Sequence, residues 1–308
     1  MPLRFTLRQL EYLVAVGECG SIALASERVN VSSPSISAAI SQLEAEFGLP
    51  LFVRKHAQGL SLTMGGRQFV EQARAVLAGA GKLNDLASTI TGQVCGPLNV
   101  GCLLTFAQIV LPRVRRSFAD RFPDVEFHQF ERNQTEIFAG LRSAALDVAL
   151  SYDLNIPPDL EFVPLLNLPP YAVMHPSHEL ANHTAVSPQE LARYPMILLD
   201  LPISADYFLS VFTPFGLRPL IAERTRDMAV MRSLVANGFG YSIANIRPVS
   251  QTSPDGLPLR YVPLMGGLRP MQLGLLLTEG ARASLTVKSF VAHCMASITT
   301  ETMPGSHA

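Results

Sequence analysis

The sequence has no tryptophan, only four cysteines, no long apolar run and almost no net charge. No apolar stretch approaches the ~18 residues that a membrane-spanning helix needs, so no bilayer span is expected. Arg4, Arg8 and Glu11 interrupt every candidate apolar core of a secretory signal, which predicts a cytoplasmic protein. Cys19, Cys95, Cys102 and Cys294 form no C-x-x-C and read as buried small hydrophobes in a reducing compartment. Cys95 and Cys102 are the one close pair, and the strand expected between them argues against a redox couple. No G-x-S-x-G elbow, no phosphate-binding glycine loop behind a strand and no ordered nucleophile, base and orienter can be found, so neither an enzyme nor a cofactor is expected. His175, His178 and His183 have a ligand-like spacing, but they stand in a loop after a strand, and no metal is expected there.

What remains is an ordinary globular composition of 308 residues with 48% hydrophobic and 16% charged positions, long enough for two or three separate cores. Charge does not advertise a polyanionic partner. Residues 1–90 hold eight basic side chains against seven acidic ones, and the whole chain has a net charge of −1. Non-specific attraction to phosphate should be weak, and the salt dependence of any nucleic-acid binding modest.

The informative stretch runs from Gly20 to Glu46. Ile22, Ala25 and Val29 recur at helical spacing behind Ser21, a natural N-cap. Asn30, Val31 and Ser32 make a turn. Ser33 is expected to cap a second helix with Pro34 at its first position, where the missing N–H costs nothing. Ile36, Ile40 and Leu43 then face inward, leaving Ser35, Ser37, Ala38, Ser41 and Gln42 outward. Two short helices joined by a tight turn, the second with a small polar outer face, suit a DNA major groove. Next, Leu51-Phe52 to Leu62-Thr63 reads as a hairpin with Gln58-Gly59 at its tip and Arg54, Lys55 and His56 upon it. Cations on such a wing suit phosphate contact.

Residues Leu7 to Gly66 resemble the winged helix-turn-helix of the LysR-type transcriptional regulators. The marks are Leu10, Val14-Ala15-Val16, Gly20-Ser21, Ser37 and Leu43-Glu44, then Gly48, Pro50-Leu51-Phe52, Arg54, Leu62-Thr63 and Gly66. The resemblance implies binding to double-stranded DNA, with Ser33, Pro34, Ser35 and Ser37 near bases and phosphates and Arg54 and Lys55 on the backbone. Two departures weaken the head: Ala38 and Ser41 stand where basic residues are common in the family.

From Met64 to Thr91 the pattern is helical, with Thr63 as N-cap. Phe69, Ala73, Val76, Ala80, Leu83, Ala87 and Ile90 alternate steps of four and three, which is a heptad seam. Gly79 and Gly81 each weaken an isolated helix by roughly 1 kcal/mol, so a partner helix is expected to support it. The reading is a dimerisation helix, which the resemblance also implies. A homodimer or homotetramer would present paired heads to a roughly palindromic operator.

Gly92, Gly96 and Pro97 break the helix. Beyond them, strands at 98–102, 125–130 and 147–151 alternate with helices at 105–122 (restarted at Pro112) and 135–144, which predicts parallel sheets covered by helices. A second lobe should begin near Phe162. Strands are expected at 171–175, 196–199, 220–222, 262–264 and 271–278, and helices at 204–215, 227–237 and 283–297. Val100 to Phe127 and Leu146–Leu150 resemble the LysR effector-binding domain, whose fold is like that of periplasmic substrate-binding proteins. The expected architecture is therefore an all-α winged helix-turn-helix (1–63), a linker helix (64–92) and an α/β two-lobed effector domain (93–303). Its first lobe would comprise 97–161 and 268–303, and its second 162–267.

Ligand contacts belong where strands end and helices begin, because free N–H groups and the helix dipole favour anions there. Thr105 and Ser204 occupy such termini. The resemblance adds Asn133, Gln134 and Ser151, and a small organic anion is the expected effector, with Arg132 as a candidate counter-charge. Arg132 stands where the family commonly has glycine, and Asn245 where it commonly has proline. The whole reads as a ligand-responsive regulator that recruits RNA polymerase. The alternative is a soluble small-molecule-binding protein that keeps a helical dimerisation unit without a DNA role.

Overall fold

The computed structural model describes residues 4–55 and 59–303, without the side chains of Arg54, Lys55, Lys82, Asn84, Asp85 and Thr89. The chain forms two compact units, one reaching Thr91 and the other occupying the chain from Gly92 onward apart from the short segment 143–145.

In the first unit, α1 (Leu7–Cys19) starts at a capping box in which Thr6 and Gln9 satisfy each other's backbone N–H groups. Such a cap is typically worth about 1 kcal/mol. Gly20, at φ 62°, ends the helix. The second helix, α2 (Ile22–Val29), is capped by Ser21 as its sequence predicts. The third, α3 (Ser33–Phe47), departs from expectation by one residue: Ser32 is the N-cap, Ser33 opens the helix and Pro34 falls within its first turn. Pro34 still lacks only an N–H that has no intrahelical partner. Leu13, Val16, Ala25, Ile36, Ile40, Leu43 and Leu51 form the core shared by the three helices.

Strands β1 (Phe52–Lys55) and β2 (Gly59–Leu62) pair antiparallel, Phe52 opposite Leu62 and Lys55 opposite Gly59. The hairpin is tied down at two points. Glu44 Oε1 accepts from the backbone N–H of Leu51 (2.7 Å) and Phe52 (3.2 Å), and Leu60 N–H donates to Gly20 O at 2.8 Å. That last contact explains Gly59: a Cβ there would lie 2.7 Å from the Gly20 carbonyl oxygen. The wing tip at 56–58, including His56 and Gln58, lies outside the described residues.

The long helix α4 (Met64–Thr91) follows, with Thr63 Oγ1 accepting from Gly66 N–H at 2.8 Å. Its expected seam splits in two. Ala73 is buried in the core of the head, and Phe69 packs there with its ring centroid 4.8 Å from that of Phe47. Phe69 and Ala73 therefore pack against the head of their own chain. Farther along, Val76, Leu83 and Ile90 are exposed, together with Leu86, which the heptad reading passed over.

The second unit contains a five-stranded sheet ordered β4-β3-β5-β12-β6. Its strands are β3 (Gly96–Leu103), β4 (Val125–Arg132), β5 (Val148–Tyr152), β6 (Leu160–Leu168) and β12 (Met271–Thr278). Helices α5 (Leu104–Ala107), α6 (Leu111–Arg121), α7 (Gln134–Arg142) and the late α11 (Leu285–Ser297) accompany it. The sheet is mixed, not parallel throughout: β3, β4 and β5 run together, whereas β12 runs against both β5 and β6. The cause is the path of the chain. It leaves this lobe by β6 and re-enters by β12, and neighbouring strands that leave and return at one edge must oppose each other.

Strand β6 also moves the lobe boundary. Residues 162–168 belong to the first lobe, and the crossing falls at Pro169-Pro170. The second lobe contains an antiparallel sheet ordered β10-β7-β11 and a parallel pair β8-β9. These are β7 (Tyr171–Met174), β8 (Pro195–Leu199), β9 (Leu220–Thr225), β10 (Ser242–Ala244) and β11 (Arg260–Pro263). Its helices are α8 (Pro188–Leu191), α9 (Ser204–Ser210) and α10 (Met228–Ala236). The expected helix 204–215 is broken, since Pro214 opens a separate short 3-10 turn over Thr213–Phe215. One continuous apolar core runs through both lobes. No helix among the described residues is long and apolar enough to cross a membrane.

Candidate DNA-binding and effector sites

On α3, Ile36, Ala39, Ile40 and Leu43 are consumed by the core, so the opposite side is left to water. Pro34, Ser35, Ser37, Ala38, Ser41 and Gln42 are all exposed, whereas Ser33 is half-buried. Ser35 Oγ pairs with Ser32 Oγ at 2.8 Å, which orders the first turn, and Gln42 accepts from Gln9 Nε2 at 2.8 Å. The face is small and uncharged. Two nearby arginines do not add to it: Arg28 and Arg74 both converge on Glu18, binding α2 and α4 to the end of α1. The backbone of Arg54 and Lys55 lies in the wing strand β1, while their side chains lie outside the described residues.

The five residues expected to touch an effector separate into two groups. Gln134 and Ser151 are fully buried and spend their polar atoms on each other and on the backbone. Ser151 Oγ donates to Gln134 Oε1 at 2.6 Å, while Gln134 Nε2 donates to the carbonyls of Tyr152 (3.1 Å) and Leu154 (3.2 Å). This pair is an internal brace holding the start of α7 to the end of β5, so neither side chain is disposed to receive a ligand. Asn133 likewise caps α7: its Oδ1 accepts from Glu136 N–H, and Glu136 Oε2 accepts from Asn133 N–H. Arg132 is exposed, with its guanidinium 5.6 Å from the Phe130 ring centroid and a bond to the Glu131 carbonyl. It does not supply a buried counter-charge.

Thr105 and Ser204 behave differently. Thr105, 4% exposed, sits beside the phenol of Tyr152, itself packed edge-on against Phe106. Burial pushes the Tyr152 phenol well up and keeps it protonated, although Thr105 opposes that shift and Tyr207 reinforces it. Tyr207, whose charge bears on Tyr152, stands one helical turn beyond Ser204 on α9. Ser204, 1% exposed, has a hydroxyl with no hydrogen-bond partner among the described residues. It ends a tight turn in which Ser204 N–H bonds to Pro202 O at 2.8 Å around Ile203, at φ 69° and ψ −44°. A β-branched residue in that conformation is strained by about 1–3 kcal/mol and is held there by its surroundings.

Sequence reasoning missed the residues that organise this region. Tyr207 Oη donates to the Arg269 carbonyl at 2.8 Å and accepts from Asn245 Nδ2 at 2.9 Å. Arg269 in turn binds Asp153 at 2.6 Å, and Asp153 Oδ1 accepts from Gln272 N–H. Burial raises Tyr207, so its phenol stays a donor. The only signal available was placement, since Asp153 and Arg269 flank β5 and β12 at the point where the chain changes lobe. Among the described residues no group of His, Cys, Asp and Glu could hold a metal ion. Instead, His178 Nδ1 accepts from Leu180 N–H and its ring packs on Tyr194.

Comparison with known proteins places both units. Residues 7–67 match the bacterial regulatory helix-turn-helix proteins of the lysR family, and residues 91–298 match the LysR substrate binding domain. The chain is 32% identical to HinK, a regulator from Pseudomonas aeruginosa, covering 96% of this chain and 99% of that one at a TM-score of 0.65. It is 30% identical over 256 residues to the regulator TcbR of Pseudomonas sp. strain P51, covering 80% and 85% of the two chains. Full-length CbnR in complex with its target DNA is 26% identical, covers 94% and 98%, and has a TM-score of 0.68. These relatives are transcriptional regulators, not enzymes.

Proposed function

The chain belongs to the LysR family of DNA-binding transcriptional regulators with an effector-binding domain, and from that premise we propose how its parts divide the work. Two copies pair through the exposed apolar half of α4, along Val76, Leu83, Ala87 and Ile90, with Ala80 allowing close approach. The paired heads set α3 into successive major grooves of a roughly palindromic operator, either as a dimer or as a tetramer. Ser33, Pro34, Ser35 and Ser37 approach bases and phosphates, and Arg54 and Lys55 hold the wing on the backbone.

A small organic anion enters between the lobes at Thr105 and Ser204, beside Tyr207 and the Arg269–Asp153 pair. The observation carrying this reading is the fully buried hydroxyl of Ser204 at a strained turn, unbonded among the described residues, since such a group is costly unless something hydrogen-bonds to it. Ligand binding biases the lobes, alters the geometry of the paired heads and changes recruitment of RNA polymerase on DNA in the cytoplasm.

Footprinting on the DNA flanking the coding region, repeated with carboxylates, neutral amides and bases, tests the reading. A protected two-fold element whose affinity shifts with a carboxylate is expected. Absence of protection at low salt would remove the DNA role, and a response confined to uncharged compounds would remove the anion.

A further inference from the structure

The chain crosses between lobes twice, outward through 168–171 after β6 and back through 264–270, between β11 and β12. Between these crossings lies a cavity of about 350 Å³, within the size range of small-molecule sites. Pro169, Pro170, Ile246, Leu264 and Met303 supply apolar walls, and no Asp or Glu is among the described residues that line it.

Its polar groups are unevenly satisfied. Asn245 is 3% exposed, and its Nδ2 donates to the Leu168 carbonyl at 2.8 Å and to Tyr207. A carbonyl can only accept, so the nitrogen must face Leu168, and the amide oxygen is the atom left buried without a partner among the described residues. The Tyr171 hydroxyl is also buried and has no partner among the described residues. Its ring packs edge-on against Tyr261, over which the Arg247 guanidinium lies at 5.2 Å. The lining thus offers a cation, a phenol donor, an unused amide acceptor and flat apolar walls.

We propose that this hinge cavity is a second ligand site, separate from the Thr105–Ser204 region, for a hydroxylated aromatic monocarboxylate. Arg247 and the Tyr171 O–H receive the carboxylate, the prolines and Leu264 cover the ring, and Asn245 Oδ1 accepts from the ligand hydroxyl. Occupancy fixes the spacing of the two crossings and so biases lobe closure. Asn245 couples the cavity to α9 through Tyr207. The existence of the site does not depend on the operator reading.

Calorimetric titration of the full chain with the three hydroxybenzoate isomers, benzoate and 4-hydroxybenzamide tests it. At least one hydroxybenzoate should bind, with benzoate and the amide each weaker by about tenfold. Arg247→Gln and Tyr171→Phe should each weaken that isomer about tenfold, while Ser204→Ala leaves it unchanged. Tyr171→Phe keeps the ring packing, so it decides the matter if Arg247→Gln fails to fold. The proposal is overturned if no isomer binds more tightly than about 1 mM or if the amide matches the acid. A loss in Ser204→Ala equal to that in Arg247→Gln would also overturn it, by assigning the ligand to the other region. Operator footprinting, which decides the regulator reading, is read independently of all these variants.

Discussion

Ser35 and Ser204 are the same residue type in opposite settings. Ser35 is exposed on α3, with its hydroxyl bonded to a neighbouring serine. Ser204 is buried at a strained turn, with its hydroxyl bonded to nothing among the described residues. The groups proposed for the head thus lie outside its apolar core, and those proposed for the lobes lie inside theirs. A surface that must slide into a groove can be small and uncommitted, because its partner supplies the shape. An interior site must hold its polar atoms in reserve, and the surrounding fold has to bear that cost.

The sharpest way to break the contrast is to charge the stem. Leu83→Glu with Ile90→Glu should weaken self-association on the order of 1000-fold, by placing unpaired carboxylates where the partner helix packs. Sedimentation should show a folded monomer with far weaker operator binding, and an unchanged assembly would refute the seam. Next comes Ser35→Glu, which brings a carboxylate to the phosphates and should reduce operator affinity about 100-fold with no loss of thermal stability.

Inside the lobes the contrast can be sharpened with matched deletions. Gln134→Ala strands the hydroxyl of Ser151 and two carbonyls, and should lower unfolding free energy by roughly 2–3 kcal/mol in urea. Ser204→Ala loses no bond and should change stability by less than about 0.5 kcal/mol while blunting the effector response. Equal destabilisation by the two would erase the distinction between brace and site.

The smallest effect concerns pH. Burial, and then Arg121, lower His293 below its ordinary value, and His178 is lowered by burial as well. Both groups favour the neutral form when folded. Their contribution is therefore complete above a pH of about 6.5 and is lost as pH falls below it. The thermal midpoint should drop by a few °C between about pH 7.5 and 5.5, and less so in His293→Gln.

Much of this was legible from the chain. The α3 face, the extent of α4, β12 and the Asp227 cap of α10 follow from local periodicity and caps, which act over a few residues. Strand β6 escaped because Pro164 interrupts it, and proline demotes a strand in any local reading. In the fold, Pro164 lies on an edge strand at a register shift opposite Gly274, a place where a sheet tolerates proline. Gln134 and Ser151 looked like ligand residues because both are polar and sit at element ends. Their mutual bond spans 17 positions and could not be inferred from either neighbourhood. Phe69 and Ala73 matched the heptad, yet periodicity does not say which of two apolar surfaces a helix stripe will meet.

That double use of α4 has a mechanical outcome. With its first turns locked into the head by Phe69, Val70 and Ala73, the helix cannot swivel beneath the wing without unpacking that core. Head and the first turns of the stem therefore move as one body, and past the end of α4 Gly92 and Gly96 take φ angles of 69° and 86°, a backbone turn that few other residues would accept there.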